Sequence, residues 1–336
     1  MSAMAPPLAL TMGEPAGIGG EIALRAWLGR RGELPPFYLI DDPDRLAVLA
    51  RRLDWPVPIR PIDAPDRASS LFADALPVLP IDTTIRAQPG RPDPGDAPAI
   101  LGAIQTAVRD VRNGRAAALV TNPIHKDSLY RAGFHHPGHT EYLAELAGAD
   151  AVPIMMLVCP GLRVVPVTIH LALHRAIESL SSAAIVHAGH ITEAGLRRDF
   201  GVGSPVLAVA GLNPHAGEAG NLGREEIEII EPALAELRAG GIDARGPLPP
   251  DTMFRAEARG AYDAALCMYH DQALIPIKTI DFHGGVNVTL GLPFVRTSPD
   301  HGTALAIAGR GAARPDSLIA ALRLAAEMAA RRSAGS

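Results

Sequence analysis

Apolar runs and amphipathic stretches alternate along most of this chain. Residues 8–12 form an apolar run followed by helical spacing over 18–28; the run 37–40 leads into 43–53, and 116–120 into helical candidates between Lys126 and Ala147. Four further apolar runs, 154–158, 164–169, 206–212 and 264–269, are interleaved with helices predicted over 174–200 and 224–239, and a last helix over 315–330. Strand-like runs alternating with helices predict an α/β sheet protein. The Pro- and Gly-rich segment 88–98 reads as an irregular surface crossing before a helix over 99–111. No internal repeat is visible, and the Ala/Arg/Ser-rich residues after Glu327 are expected to fray.

A chain of 336 residues, 48% hydrophobic and 20% charged, can bury a full core as one large domain or two intimate ones. The formal net charge of −5, with no basic cluster, removes nucleic acid from the expected partners. Cys159 and Cys267 are the two cysteines, both in or beside apolar runs, which suits inert core thiols in a reducing compartment. Residues 1–7 lack the basic n-region of a secretory signal, and no apolar stretch reaches the ~18 residues of a membrane span. The expectation is a cytoplasmic protein with no membrane partner.

Chemistry concentrates at strand ends. His170, His215 and His270 each close an apolar run, and in open α/β sheets the carboxyl ends of strands face the ligand crevice. Three imidazoles there could converge on one ion, and neutral imidazoles at an open-coordination metal leave room for substrate oxygens. Satisfied or surface histidines are the plain alternative in a chain with 12 of them, and separations of this length mean that only the fold could assemble the site. The glycine-rich turn from Gly13 to Gly20 opens the first helix, but Pro15 spoils a dinucleotide G-x-G-x-x-G pattern. Pro137-Gly138-His139-Thr140-Glu141 marks a helix N-terminus that could hold a phosphate or carboxylate, or be a plain Thr cap. The densest stretch runs from His270 through Lys278, Asn287 and Arg296 to His301, with cationic groups in glycine-bordered strands and turns that suit a small anion. Serine-hydrolase, P-loop and zincin signatures are missing.

In this order and combination, the Gly13–Gly19 turn, Thr121-Asn122-Pro123-Ile124-His125-Lys126, Pro137–Glu141, Thr168–Leu171, Asn213–Glu218, Pro250–Phe254, Tyr269–Gln272 and Gly285–Leu305 resemble the 4-hydroxythreonine-4-phosphate dehydrogenase family of pyridoxal phosphate biosynthesis. The resemblance covers nearly the whole chain. It implies a two-domain α/β fold like that of isocitrate and isopropylmalate dehydrogenases, with the active-site cleft between domains, and not a Rossmann domain. On that fold, residues 1–135 plus about 300–336 would form the domain with the cofactor side, and 136–299 the domain with the metal and dimer interface. A divalent metal, usually zinc, with magnesium or cobalt as alternatives, is implied at His170, His215 and His270 and shared across a homodimer interface. Substrate contacts are implied for His139, Thr140, Lys278, Asn287 and Arg296. His301, Gly302 and Thr303 lie in a segment similar to the adenine-side cofactor loop of those enzymes. Two residues depart from the family pattern: Glu14 stands where Asp is common, and His125 where Asn is frequent.

The implied reaction is NAD- or NADP-dependent oxidation of 4-phosphooxy-L-threonine to 2-amino-3-oxo-4-phosphooxybutanoate, which decarboxylates to 3-amino-2-oxopropyl phosphate. Asp251, Asp271 and Lys278 are the candidates for its proton acceptor, and a lysine whose pKa is lowered near a cation suits that work. Three other readings stay open on the sequence: a relative acting on a phosphorylated four-carbon sugar acid or a dihydrodiol dicarboxylate; a three-histidine hydrolase or lyase without nicotinamide; and a binding module that kept the cleft and lost its chemistry.

Overall fold

The computed structural model describes residues 5–136, 138–148 and 152–334. The chain divides into two compact units, Met1–Val152 with Leu292–Ala330, and Pro153–Gly291 with Arg331–Ser336. The sequence reading drew its lines at 135/136 and 299/300. The helix His139–Ala147 falls on the first unit's side because Tyr142, Leu143 and Ala147 join one core cluster with Ala103, Ile104, Leu292 and Phe294.

The first unit is built on parallel strands β1 (Leu8–Thr11), β2 (Phe37–Asp41), β3 (Ile59–Pro61), β4 (Leu76–Pro80), β5 (Leu119–Thr121) and, after the chain returns, β12 (Arg296–Pro299). Their order is β3-β4-β2-β1-β5-β12. Strands β1 and β2 are buried along their whole length, which is why they read as unbroken apolar runs rather than alternating ones. The edge strand β3, three partly exposed residues, has no such signature and went unread. The helix Ala97–Arg112 buries Ala99, Ile100, Ala103, Ile104, Ala107 and Val108, a stripe at three- and four-residue spacing. The segment before it is pinned by the fully buried Asp96 carboxylate, which accepts the N–H groups of Arg86 and Ala87 at 2.8 Å each.

The second unit orders its strands β11-β6-β7-β10-β8-β9: β6 (Ile154–Cys159), β7 (Leu162–Pro166), β8 (Val206–Ala210), β9 (Asp243–Leu248), β10 (Ala264–Cys267) and β11 (Val286–Leu290). β11, β6 and β7 pair antiparallel, whereas β7, β10, β8 and β9 run parallel. The helix expected over 174–200 is two, Leu173–Ser179 and Ser182–Phe200, because Ser181 turns extended and its hydroxyl accepts the Ala184 N–H. Helix packing is close at Gly189, where a Cβ would lie 2.6 Å from the Leu237 side chain. Cys159 and Cys267 are free and buried, and burial raises both thiol pKa values, Cys159 to about 11. They are packing residues. The final helix, Asp316–Ala334, outruns its expected end, so residues after Glu327 stay helical through Ala334.

One buried carboxylate fixes the loop after β12. Glu21, 0% exposed, accepts the N–H of Gly309 through Oε2 at 2.8 Å and that of Ala313 through Oε1 at 3.0 Å. Glu21→Ala strands two buried donors, an expected loss of about 2–4 kcal/mol. Urea unfolding of the variant, compared with the wild type, checks it; an unchanged midpoint would remove Glu21 as the loop's anchor.

Candidate active site

Three of the parallel strands of the second unit carry the three strand-end histidines. Strand β10 lies between β7 and β8, so the segments leading to His170, His270 and His215 leave one edge of the sheet. Side chains lock these strand ends together. The Thr168 hydroxyl donates to the Met268 carbonyl at 2.8 Å, the Met268 N–H donates to Gln272 Oε1 at 2.6 Å, and Gln272 Nε2 donates to the Gly211 carbonyl at 2.7 Å. The imidazoles of His170 and His270 come to rest with ring centroids 5.9 Å apart, inclined at 41°. They flank a cavity of about 220 Å³ that Tyr269 and Asp271 also line. Asp271 Oδ1 lies 2.7 Å from His270 Nδ1, the carboxylate–imidazole contact that fixes a tautomer and leaves Nε2 for other work. The two imidazoles line one cavity, where their ring nitrogens are candidate ligands for a divalent ion.

His215 is held differently. After Asn213-Pro214 the backbone turns left-handed at five consecutive residues, with φ of 53° at His215, 52° at Ala216, 78° at Gly217, 43° at Glu218 and 56° at Ala219. Each non-glycine residue there costs roughly 1–2 kcal/mol, and such strain persists only where the surroundings enforce it. His170 is left-handed too, at φ 54°. Among the described residues, no three His, Cys, Asp or Glu side chains of one chain gather as a metal-binding group. The structure brings His170 and His270 together and sets His215 on its own turn at the same sheet edge.

The first unit brings together cationic and polar side chains from residues distant in sequence. Arg296, 3% exposed, donates from Nη2 to the Thr121 hydroxyl at 2.6 Å and lies 3.5 Å from His139 Nδ1. Burial draws the guanidinium pKa down to about 10, which leaves it cationic at neutral pH. Burial, then the Arg296 charge, then that of Lys126, hold the His139 imidazole well below its ordinary value, so it is neutral. His139 Nε2 is buried without a hydrogen-bond partner among the described residues. His139 opens the helix His139–Ala147 with Thr140 beside it; the cap is Gly138, with no side-chain capping bond, so the Thr-cap reading is not realised, and Pro137 lies outside the described residues. Lys126 was read only as part of a motif. In the structure its Nζ stands over Gly138, 3.4 Å from where a Cβ would be, with Glu141 Oε2 3.2 Å from the same point.

Beside it, three loops of the same unit interlock. Gly13 takes φ 69°, and any Cβ there would lie 2.6 Å from the Pro123 carbonyl. The Gly90 N–H donates to the Ala16 carbonyl at 2.8 Å, and the Ile18 N–H donates to that of Thr303 at 3.1 Å. Thus the Gly13–Gly20 turn meets the segment His301, Gly302 and Thr303, where the His301 imidazole Nδ1 sits 3.0 Å from the Gly302 carbonyl. Glu14 is buried, and burial followed by the Asp96 charge raises its pKa; its Oε1 accepts the Ala16 N–H. The other sequence candidates lie in the second unit. Lys278 is on the helix His270–Ile280 with its ammonium 5.4 Å from the Phe282 ring centroid, Asn287 is on β11 with a buried Oδ1 lacking a partner among the described residues, and Asp251 is exposed on the short helix Pro250–Met253.

Two α/β units, the first with wholly parallel strands and the second mixed, with imidazoles beyond strand ends and a buried arginine beside an imidazole, define the α/β class of this protein. The chain belongs to the family described as pyridoxal phosphate biosynthetic protein PdxA, whose model matches residues 34–325. It is 57% identical to the 4-hydroxythreonine-4-phosphate dehydrogenase of Bradyrhizobium diazoefficiens, over 97% of this chain and 98% of that one. The crystal structure of the Klebsiella pneumoniae 4-hydroxythreonine-4-phosphate dehydrogenase is similar with a TM-score of 0.86 at 36% identity, covering 96% of this chain and 99% of that one. A terephthalate 1,2-cis-dihydrodiol dehydrogenase from Burkholderia xenovorans is less similar, with a TM-score of 0.62 at 26% identity over 96% and 98% of the two chains.

The His139 environment has a pH consequence. Its folded pKa lies below the ordinary 6.5, so between those values the unfolded chain holds a proton that the folded chain does not. Stability is therefore full well above 6.5 and falls as pH drops through it, until the folded chain takes up the same proton. In His139→Gln the fall between pH 7.5 and 5.5 should be smaller than in the wild type, measured by urea unfolding at both values. An equal fall in variant and wild type would mean that His139 is not held neutral.

Proposed function

We propose that this chain oxidises 4-phosphooxy-L-threonine with NAD or NADP to 2-amino-3-oxo-4-phosphooxybutanoate, which loses carbon dioxide to give 3-amino-2-oxopropyl phosphate. The observation that carries this reading is the 57% identity, over nearly the full length of both chains, to a dehydrogenase named for that substrate. The dihydrodiol dehydrogenase stands much further off, at 26%.

The residues suit the chemistry. Arg296, Lys126 and His139 offer two fixed cations and a neutral imidazole to an anionic end of the substrate, with Thr140 at the start of the adjoining helix. Binding energy from a remote phosphate or carboxylate fixes the reacting carbon without itself taking part. His170, His215 and His270 are the proposed ligands of a divalent cation, zinc first and magnesium or cobalt as alternatives. Such an ion supplies Lewis-acid stabilisation of negative charge developing on substrate oxygen. Asp271 orients His270 through its 2.7 Å contact, which leaves Lys278 and Asp251 as candidates to take the hydroxyl proton while hydride passes to the nicotinamide. Asn287 is a further substrate contact. His301, Gly302 and Thr303, braced against the Gly13–Gly20 turn, are proposed to meet the cofactor.

The functional form is proposed to be a homodimer that shares the metal site. What supports it is apolar surface next to the histidines: Leu171 and Leu173 are 50% and 58% exposed beside His170, and Ile275 and Phe282 are 65% and 68% exposed after His270. Exposed apolar side chains of this size suit an association surface. No helix among the described residues is long and apolar enough to cross a membrane, and two buried free thiols suit the cytoplasm.

Purified protein should produce NADH or NADPH from 4-phosphooxythreonine, and far less from 4-phosphoerythronate or a cyclic diol. Chelation should remove the activity and zinc, cobalt or magnesium should restore it. Activity that survives chelation sinks the metal role, and a preference for either other substrate sinks the substrate assignment. Separately, Phe282→Glu should shift the protein from dimer to monomer in sedimentation velocity; a variant dimer as tight as the wild type would take Phe282 out of the interface.

A further inference from the structure

The left-handed turn that carries His215 needs something to hold it, and one buried carboxylate does. Glu226 is 2% exposed and sits in a single π-helical turn, Glu226–Ile230, just before the helix Glu231–Ala239. Its Oε1 accepts the backbone N–H groups of Leu212 and Asn213, at 2.7 Å each, and its Oε2 accepts Asn213 Nδ2 at 2.9 Å. The turn folds down on this carboxylate so closely that a Cβ on Gly217 would lie 2.6 Å from Oε2. π-Helical turns inside helices recur at functional sites, and this one aims a buried anion at the backbone just before His215. Of the segments leading to the three histidines, this one carries the run of left-handed residues.

We infer that Glu226 is a positioning residue for His215, so that affinity for a divalent cation depends on a carboxylate that does not touch the ion. The inference rests on the metal reading above. Second-sphere groups that fix a ligand's orientation typically change metal affinity by about 10–100-fold when removed. Glu226→Gln keeps the volume and one acceptor but sets an amide N–H₂ against Asn213 Nδ2. Gly217→Ala leaves the carboxylate intact and pushes it from the other side.

The test titrates zinc against a chromogenic chelator and records the visible spectrum of the cobalt-loaded protein, for wild type, E226Q, G217A and H270A. Hydrogen exchange over residues 211–222 is followed in the same proteins without metal. The expected result is zinc affinity about 10–100-fold weaker in E226Q and G217A, an altered cobalt spectrum, and faster exchange in 211–222 with the rest of the chain unchanged. H270A should lose metal while 211–222 exchanges as in the wild type. Zinc affinity in E226Q within twofold of the wild type overturns the inference alone. A wild type that takes up no metal overturns the metal reading and this inference with it. If E226Q fails to fold, G217A decides on the same two readouts, and unchanged affinity in G217A overturns the inference.

Discussion

Loops that leave buried parallel strands carry backbone N–H and C=O groups that water cannot reach, and the chemistry of this protein hangs on how those groups are satisfied. An unmet buried donor costs about 1–3 kcal/mol, so a loop of this kind either finds an internal partner or does not hold one shape. Here the partners are a few buried side chains, each closing a specific loop: Glu21 the one after β12, Asp96 the crossing before its helix, Glu226 the turn after β8, and Gln272 both the β8 and β10 ends. Glu226 and Gln272 fix the backbone that leads to His215 and His270. The three histidines at the sheet edge are half-exposed or exposed, whereas these two groups are buried.

That division explains how far the sequence could be read. Fully buried strands such as β1, β2 and β10 announce themselves as apolar runs, and His270 follows the last directly. Edge strands β3 and β9 bury little and leave no pattern, and the helix break at Ser181 turns on one hydroxyl whose capping role needs the backbone to be known. His170, His215 and His270 stand out as histidines closing apolar runs and His139 as part of a helix N-terminus, while the roles expected of them and of Arg296 come from the family resemblance. Lys126, Glu226 and Gln272 carried no signal of their own, because which groups a polar residue faces is set by the fold and not by its letter. Glu226 stands in an acidic run with Glu225 and Glu228, which reads as a solvated helix face.

Electrostatics separates the two sets of histidines. His139 is kept neutral by burial and two nearby cations, so it stands beside Arg296 as a hydrogen-bonding group and not as a further positive charge. Arg296 is still charged at neutral pH, so this region keeps a fixed cation through small changes in pH. His270 is tied instead to a carboxylate, Asp271, and His170 and His215 are exposed at the sheet edge. An imidazole with a carboxylate on one nitrogen is a better donor of the other nitrogen's lone pair. The histidines of the two units thus sit in opposite electrostatic surroundings, cations beside His139 and a carboxylate beside His270.

The strain at His215 follows from the same logic. Holding His, Ala and Glu residues left-handed would be unstable for a loop that relied on itself, since each pulls the backbone toward the ordinary region. Glu226 offsets this with three charge-assisted contacts, each roughly twice as strong as its neutral counterpart. A carboxylate serves better than an amide here because all three of its partners are donors, and an amide presents one oxygen only. The π-helical turn supplies the remaining condition, since the extra residue re-aims a side chain that regular helix geometry would place elsewhere. Strained turn, buried anion and irregular helix therefore meet at the β8 end, where the carboxylate holds the approach to the turn and the turn's own bonds, Ala216 N–H to the Asn213 carbonyl and Leu222 N–H to that of Gly217, close the rest.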